Sequence, residues 1–356
     1  MSRKGTSLLK AALSAMHATR ADEFLAPLTG GAGVIFTLHH VSPEPARAFE
    51  PNRILKITPE FLEAVIRQVI EQGFDVIAID DVPARLEAAA EPGQRPFAVF
   101  TFDDGYRDNR DHALPVFRKY GLPFTIYIPT DYPGGDGELW WLDLEAAIRV
   151  LDEVVVAIGG VEERNVSRTD AEKDEAFHRV YWKLRALPEV EMRAIVAELA
   201  ASAGIDTRAA AADLLMTWDE IRELAADPLV TLAAHTKGHL ALAKLSEDEA
   251  RAEIVESIAR LEAEIGRKVR HFSFPYGDEA SAGPREFRLA AEAGLETAVT
   301  TRKGLVHARH ARTPTALPRV SLNGDYQDSR YVKVLLSGVP FAFWDAVGRL
   351  RGRAAA

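Results

Sequence analysis

Apolar residues recur along this chain in two alternating rhythms. Mostly apolar runs of strand length, at residues 33–41, 74–79, 96–102 and 124–129, are separated by segments where apolar residues return every three to four positions. The clearest helix opens at Thr58-Pro59: Phe61, Leu62, Val65, Ile66, Val69 and Ile70 share one face, and Gly73 stops it. A shorter helix is predicted near residues 112–120. Strands and helices in this order call for a parallel sheet or barrel.

The rhythm breaks at residues 131–216. A glycine-rich loop at 133–137 is followed by helical stretches at 171–187 and 189–202, and only residues 154–158 resemble a strand. This region reads as a mainly helical insertion. Alternation resumes at Thr217, which forms a capping box with Glu220, and continues into a strand at 230–235. Ser246 and Glu249 make a second box that opens a helix to Ile265; a strand at 271–274, a helix at 284–293 and strands at 295–301 and 317–322 complete the pattern. Without the insertion roughly 270 residues remain, near the ~250 of a (β/α) barrel. The expected fold class is therefore α/β: a distorted TIM-like barrel over residues 31–338, with an N-terminal amphipathic helix before it (1–30) and an amphipathic basic tail after it (339–356).

Four polar signals each follow a strand-like run: His39-His40, Asp103-Asp104-Gly105, His235 to His239, and Pro275-Tyr276. In a barrel, all four fall on the face where catalytic loops gather. One carboxylate of the Asp103-Asp104 pair can join two imidazoles around a divalent metal while the other stays free to move protons, which suits metal-assisted hydrolysis. The chain has no cysteine, so any metal must be held by histidine and carboxylate. A net charge of -10 argues against a nucleic-acid partner and favours a neutral or mixed substrate.

Thr101-Phe102-Asp103-Asp104-Gly105 and His235-Thr236-Lys237-Gly238-His239 together resemble the first two motifs of the polysaccharide deacetylases of the NodB-homology type, carbohydrate esterase family four. The resemblance in motif order spans residues 33–322, apart from the insertion. It implies a divalent metal, most often zinc, held by Asp104, His235 and His239, with open positions for water and the amide oxygen. Asp103 would be the general base, Thr236 a hydrogen-bonding support, and the backbone N–H of Tyr276 an oxyanion donor. The implied reaction is removal of acetyl groups from N-acetylated sugars.

Two helpers depart from that pattern. Where the family commonly carries an arginine before Pro-Tyr, this chain reads Phe272-Ser273-Phe274, and Arg319 on the neighbouring predicted strand is the substitute. For the general acid, His39 is the first choice, because a branch of the family resembles its apolar-His-x-Val pattern; His40 and His307 are the alternatives. Trp140, Trp141 and Trp218 suit stacking on sugar rings, and Tyr132, Glu138 and Asp143 suit sugar hydroxyls.

The expected function is metal-dependent N-deacetylation of a polysaccharide or glycolipid. The alternatives are a deformylase or other non-peptide amide hydrolase on the same site, and a non-catalytic glycan-binding protein. No stretch approaches the ~18 apolar residues of a membrane span and no signal-peptide pattern opens the chain, so a cytoplasmic location is expected. The amphipathic ends suggest peripheral contact at the inner membrane face, where a lipid-linked sugar would be presented.

Overall fold

The computed structural model describes residues 3–91 and 93–350. In place of the one helix expected over 1–30, two helices, α1 (Arg3–Ala18) and α2 (Ala21–Thr29), divided at Arg20 with φ 57°, lead into strand β1 (Gly33–Leu38), a short β2 (His40–Val41) and β3 (Lys56–Ile57). There follow α3 (Pro59–Glu71), β4 (Asp75–Val76), α4 (Val82–Glu87), β5 (Phe97–Phe102), α5 (Leu114–Tyr120) and β6 (Phe124–Ile128). The inserted region contains α6 (Trp140–Val150), β7 (Glu153–Ile158), β8 (Val161–Val166), α7 (Asp170–Ala186), α8 (Glu189–Ser202) and α9 (Thr207–Leu214). The chain then runs through α10 (Trp218–Ala225), β9 (Val230–Ala234), α11 (Glu247–Ile265), β10 (His271–Ser273), α12 (Pro284–Glu292), β11 (Thr297–Lys303), β12 (Leu317–Ser321), α13 (Ser329–Leu336) and α14 (Val339–Leu350).

Seven parallel strands close on themselves in the order β1, β12, β11, β10, β9, β6, β5, and β5 returns to β1 along its whole length, from Gly33↔Phe97 to Leu38↔Phe102. The helices lie outside, as a parallel sheet buried on both faces requires. The strand expected at 74–79 shrinks to the two residues of β4, which share one edge of β5 with β6: β4 pairs with Phe97 and Ala98, β6 with Thr101 and Phe102. Hence the ring has seven full members and the barrel is distorted.

Period-two alternation decides what enters the barrel. On β1 and β5, Val34, Phe36, Leu38, Ala98, Phe100 and Phe102 pack outward against helices, while Ile35, Phe97 and Val99 pack with Tyr127, Ala233 and Leu317 in a separate interior cluster. Continuing the interior register upward gives Thr37, Thr101 and Asp103, together with His235, Ser273 and Arg319 from the other strands. The apolar floor therefore carries a polar layer at the strands' C-terminal ends.

The predicted capping boxes form: Thr217 accepts from the Glu220 amide at 3.3 Å, and Ser246 from the Glu249 amide at 3.3 Å. The insertion differs from the sequence reading in one respect. Residues 153–166 form an antiparallel hairpin, Glu153↔Val166 to Ile158↔Val161, turned by Gly159 and Gly160 at φ 59° and 78°. Two glycines with positive φ are the usual requirement of a tight hairpin turn, and the alternation of buried Val154 and Val156 with exposed Val155 completes it. The hairpin and α6–α8 enclose a second apolar core that also takes in Tyr106, Tyr132 and Phe49.

Candidate metal and catalytic site

Five non-glycine residues among those described have φ in the left-handed region, and four of them are Asp104 (75°), Thr236 (61°), His239 (55°) and Tyr276 (60°). Such backbone costs of order 1–3 kcal/mol per residue and persists only where surroundings enforce it. Here it turns successive side chains at the strand ends in different directions.

Asp104, His235 and His239 are all buried, and their ligand atoms lie within 4.8 Å of one another. Asp104 Oδ1 is 3.5 Å from His235 Nε2 and 3.3 Å from His239 Nε2. The Nδ1 of His235 is 2.6 Å from the Ser273 carbonyl oxygen. A carbonyl can only accept, so Nδ1 carries the proton and Nε2 offers its lone pair to Asp104's side of the site. Burial holds the His239 imidazole below its ordinary range, against the opposing pull of Asp104. For Asp104, burial alone would raise the pKa, but His239 and His235 outweigh it and leave the carboxyl well below the usual range. A carboxylate facing two imidazole nitrogens is the donor set for a divalent cation, and the buried Asp104 Oδ1 has no hydrogen-bond donor among the described residues. The residues present fit such an ion. Thr236 holds the loop, its Oγ1 accepting from the His239 amide at 3.0 Å.

Asp103 points the other way, into the barrel. Arg319 meets it with Nη1 to Oδ1 at 2.8 Å and Nη2 to Oδ2 at 2.6 Å, while its Nε donates to the Thr300 carbonyl at 2.8 Å. The same guanidinium reaches Thr101 Oγ1 at 3.1 Å and Ser273 Oγ at 3.0 Å. Burial pushes Asp103 upward, and the Arg319 charge and hydrogen bonds reverse this, leaving it ionised with a lowered pKa. Ser273 is small and faces inward on β10, which leaves the space that the β12 arginine fills.

His39 follows β1 directly and breaks the predicted strand at 33–41: β1 ends at Leu38, and His40-Val41 pair separately with β3. Its imidazole feels Asp104, Asp103 and Arg319, and burial lowers its pKa while the two carboxylates resist. His40 is engaged elsewhere: its Nδ1 is 2.7 Å from Asp108 Oδ2 and its ring stacks on Tyr106 at 3.6 Å. His307 lies at the wrong end. Val306 bridges Gly33 at the start of β1, so His307 sits beyond the opposite mouth of the barrel from the Asp-Asp turn.

Tyr276 sits with its ring centroid 4.9 Å from that of His239, and its backbone N–H has no acceptor among the described residues. The insertion grips it. Trp140 Nε1 donates to the Tyr276 hydroxyl at 2.8 Å, and the Arg185 guanidinium lies 3.6 Å from the ring centre. Trp141 approaches His239 at 5.0 Å, and Arg193 donates to the Gly238 carbonyl at 2.9 Å. Sequence reasoning missed Arg185 and Arg193; the four-residue spacing to the buried Glu189 on either side was the available signal.

The expected sugar platforms are corrected. Trp140 and Trp141 are buried and line the site from within, and Trp218 packs between barrel and helices with the Arg260 guanidinium 5.2 Å from its ring. Tyr132 and Asp143 are buried as well, with burial and Glu138 raising Asp143 to about 7. Glu138 alone of the three polar candidates is exposed, and it pairs with Arg193 at 2.6 Å.

The polysaccharide deacetylase family model matches residues 90–148 and 169–298, more than half of the chain, including both motif turns. The chain belongs to the polysaccharide deacetylase family. The two matched segments are interrupted at the β7–β8 hairpin, and they leave out His39 and Arg319, so the helpers lie outside what the model covers. Among curated proteins, YxkH of Bacillus subtilis (strain 168), which carries a name from the same family, is 30% identical over 74 residues, 21% of this chain. The matched part is only 26% of that protein's length. Two solved structures share the fold, the first of them titled a deacetylase. Streptococcus pyogenes PplD, in complex with acetate, matches at TM-score 0.54 and 15% identity over 85% of this chain and 97% of that one. IcaB from Ammonifex degensii matches at 0.53 and 16% over 86% and 98%.

Proposed function

We propose that this family member is a metal-dependent N-deacetylase that hydrolyses the acetamide of an N-acetylated sugar in a polysaccharide or glycolipid. The observation that carries this reading is the division of the Asp-Asp pair: Asp104 faces two imidazoles, while Asp103 is held apart and ionised by Arg319. A purely structural metal site needs no second, free carboxylate.

A divalent cation, zinc for preference, held by Asp104, His235 and His239 would polarise the amide carbonyl and lower the pKa of the attacking water. Asp103 is the group placed to accept a proton from a water adding to the carbonyl carbon. The free N–H of Tyr276 donates to the oxyanion of the tetrahedral intermediate. His39, whose protonated form Asp103 and Asp104 favour against burial, then gives a proton to the departing sugar nitrogen and is reprotonated at the expense of the proton Asp103 took up; the C–N bond breaks, and acetate and an amino sugar leave. Arg319 keeps Asp103 ionised and oriented through the cycle. The acetate in the PplD structure is the product this reaction would release.

Acetate and formate release from a panel of N-acyl amino sugars and their oligomers tests the assignment. Acetate with metal, and none after chelation, is the expected result; formate in preference to acetate would reassign the acyl group.

A further inference from the structure

Large apolar side chains are exposed together on the terminal helices. Phe24 is 73% exposed, Leu25 41% and Leu28 84%, all on one face of α2; Phe343 of the adjoining α14 is 55% exposed and Leu8 of α1 is 74%. Single exposed apolar residues are ordinary, but a group of this size on contiguous helices is a binding surface. Charge is the second observation. A groove of about 1230 Å³ is lined by Leu28 of α2, Phe341 and Trp344 of α14, and the loop after β11. The end of β11 and that loop, residues 302–312 together, contain Arg302, Lys303, Arg309 and Arg312 and no acid, in a chain whose net charge is -10.

Lys303, Arg309 and Arg312 are exposed and make no ion pair with any described residue. Elsewhere most exposed cations are paired, as Arg118 is with Asp227 and Lys119 with Glu63. Lys303 Nζ lies 5.8 Å from the centre of the half-buried Trp344 ring, a cation beside an amphipathic aromatic. Asp278, Glu279 and Asp345 also line the groove, and no described helix is long and apolar enough to cross a membrane.

We propose that α2, α14 and the 302–312 loop dock on an anionic lipid bilayer. Phe24, Leu28 and Phe343 enter the interface, and Lys303, Arg309 and Arg312 meet the lipid phosphates. An apolar face rimmed by unpaired cations matches a surface that is apolar within and anionic at its boundary. A neutral protein partner would leave those charges uncompensated. The groove runs from Leu28 and His307 to residues 278–280 along the flank of the barrel. Docking is independent of the reaction and is read by binding, not turnover.

The test is sedimentation of the full chain with phosphatidylcholine vesicles, with and without phosphatidylglycerol, at low and high salt. Two variants accompany it: Phe24→Glu/Leu28→Glu/Phe343→Glu and Lys303→Glu/Arg309→Glu/Arg312→Glu. The wild type is expected to partition onto phosphatidylglycerol vesicles and to come off at high salt, and each triple variant to lose at least about tenfold. If the apolar triple variant does not fold by circular dichroism, Leu28→Glu alone carries the same expectation. Equal binding to both vesicle types, no binding, or retention by the variants would overturn the proposal. So would a wild-type dimer in light scattering that the apolar variant converts to monomer, which would make this face an interface between copies.

Discussion

Arg319 and Asp103 meet through two parallel hydrogen bonds of 2.8 and 2.6 Å inside the barrel, where neither side chain is more than 4% exposed. Their chain separation hides the pairing, and closure of β1 between β5 and β12 creates it. Arg319→Ala leaves Asp103 buried and unpaired. The expected cost is about 3–5 kcal/mol of stability, with the Asp103 pKa driven upward by burial. Arg319→Lys keeps the charge but not the fork, so kcat should fall more than stability does. Chemical denaturation beside kcat against pH for the two variants separates orientation from charge.

How much of this was legible beforehand follows from what each feature depends on. Asp103-Asp104 and His235 to His239 are local turns on strand ends, so spacing and apolar flanks exposed them. Arg319 was readable only because Ser273 stands where an arginine was expected. Of the hairpin turned at Gly159-Gly160 only the first strand, 154–158, was read; the second was missed because the helical stretches around it set the pattern of the insertion. Arg185, Arg193 and the buried placement of Trp140 depend on how the insertion folds back over the barrel, which no local period encodes. The strand at 74–79 failed for a related reason: β4 pairs with β5 only at Phe97 and Ala98, and β6 takes the same edge at Thr101 and Phe102.

The general acid separates two adjacent histidines. His39→Gln should lower kcat by about 10²–10⁴ with metal content unchanged. His40→Gln removes the contact to Asp108 and the stacking on Tyr106, so its main effect should be on melting temperature. Comparable kcat losses with unchanged stability in the two variants would contradict this assignment.

Gly277 holds the turn that presents the Tyr276 N–H. It has φ 61°, and a Cβ there would lie 2.6 Å from the Thr301 amide nitrogen. Gly277→Ala should cost about 1–3 kcal/mol through left-handed strain alone and more through the contact. Because the displaced segment carries the proposed oxyanion donor, kcat should drop while metal content holds. Thermal melting and metal analysis on one preparation check both.

Acid should loosen the loop after β11. His310 accepts the His307 amide on Nδ1 at 2.9 Å, and burial lowers its pKa to about 4. Its unfolded value is about 6.5, so the unfolded chain binds more protons between those limits. Its stabilising contribution is complete above about pH 6.5 and is lost as pH falls toward 4. The melting temperature should decline across that window, and His310→Gln should flatten the decline.

The division of labour within the Asp-Asp pair is tested most directly by metal content and acetate release measured together on Asp103→Asn. The expected result is a metal stoichiometry equal to that of the wild type with acetate release reduced by at least about 10². Metal loss comparable to that of Asp104→Asn, or near-normal acetate release with metal bound, would contradict the assignment of Asp103 as the base.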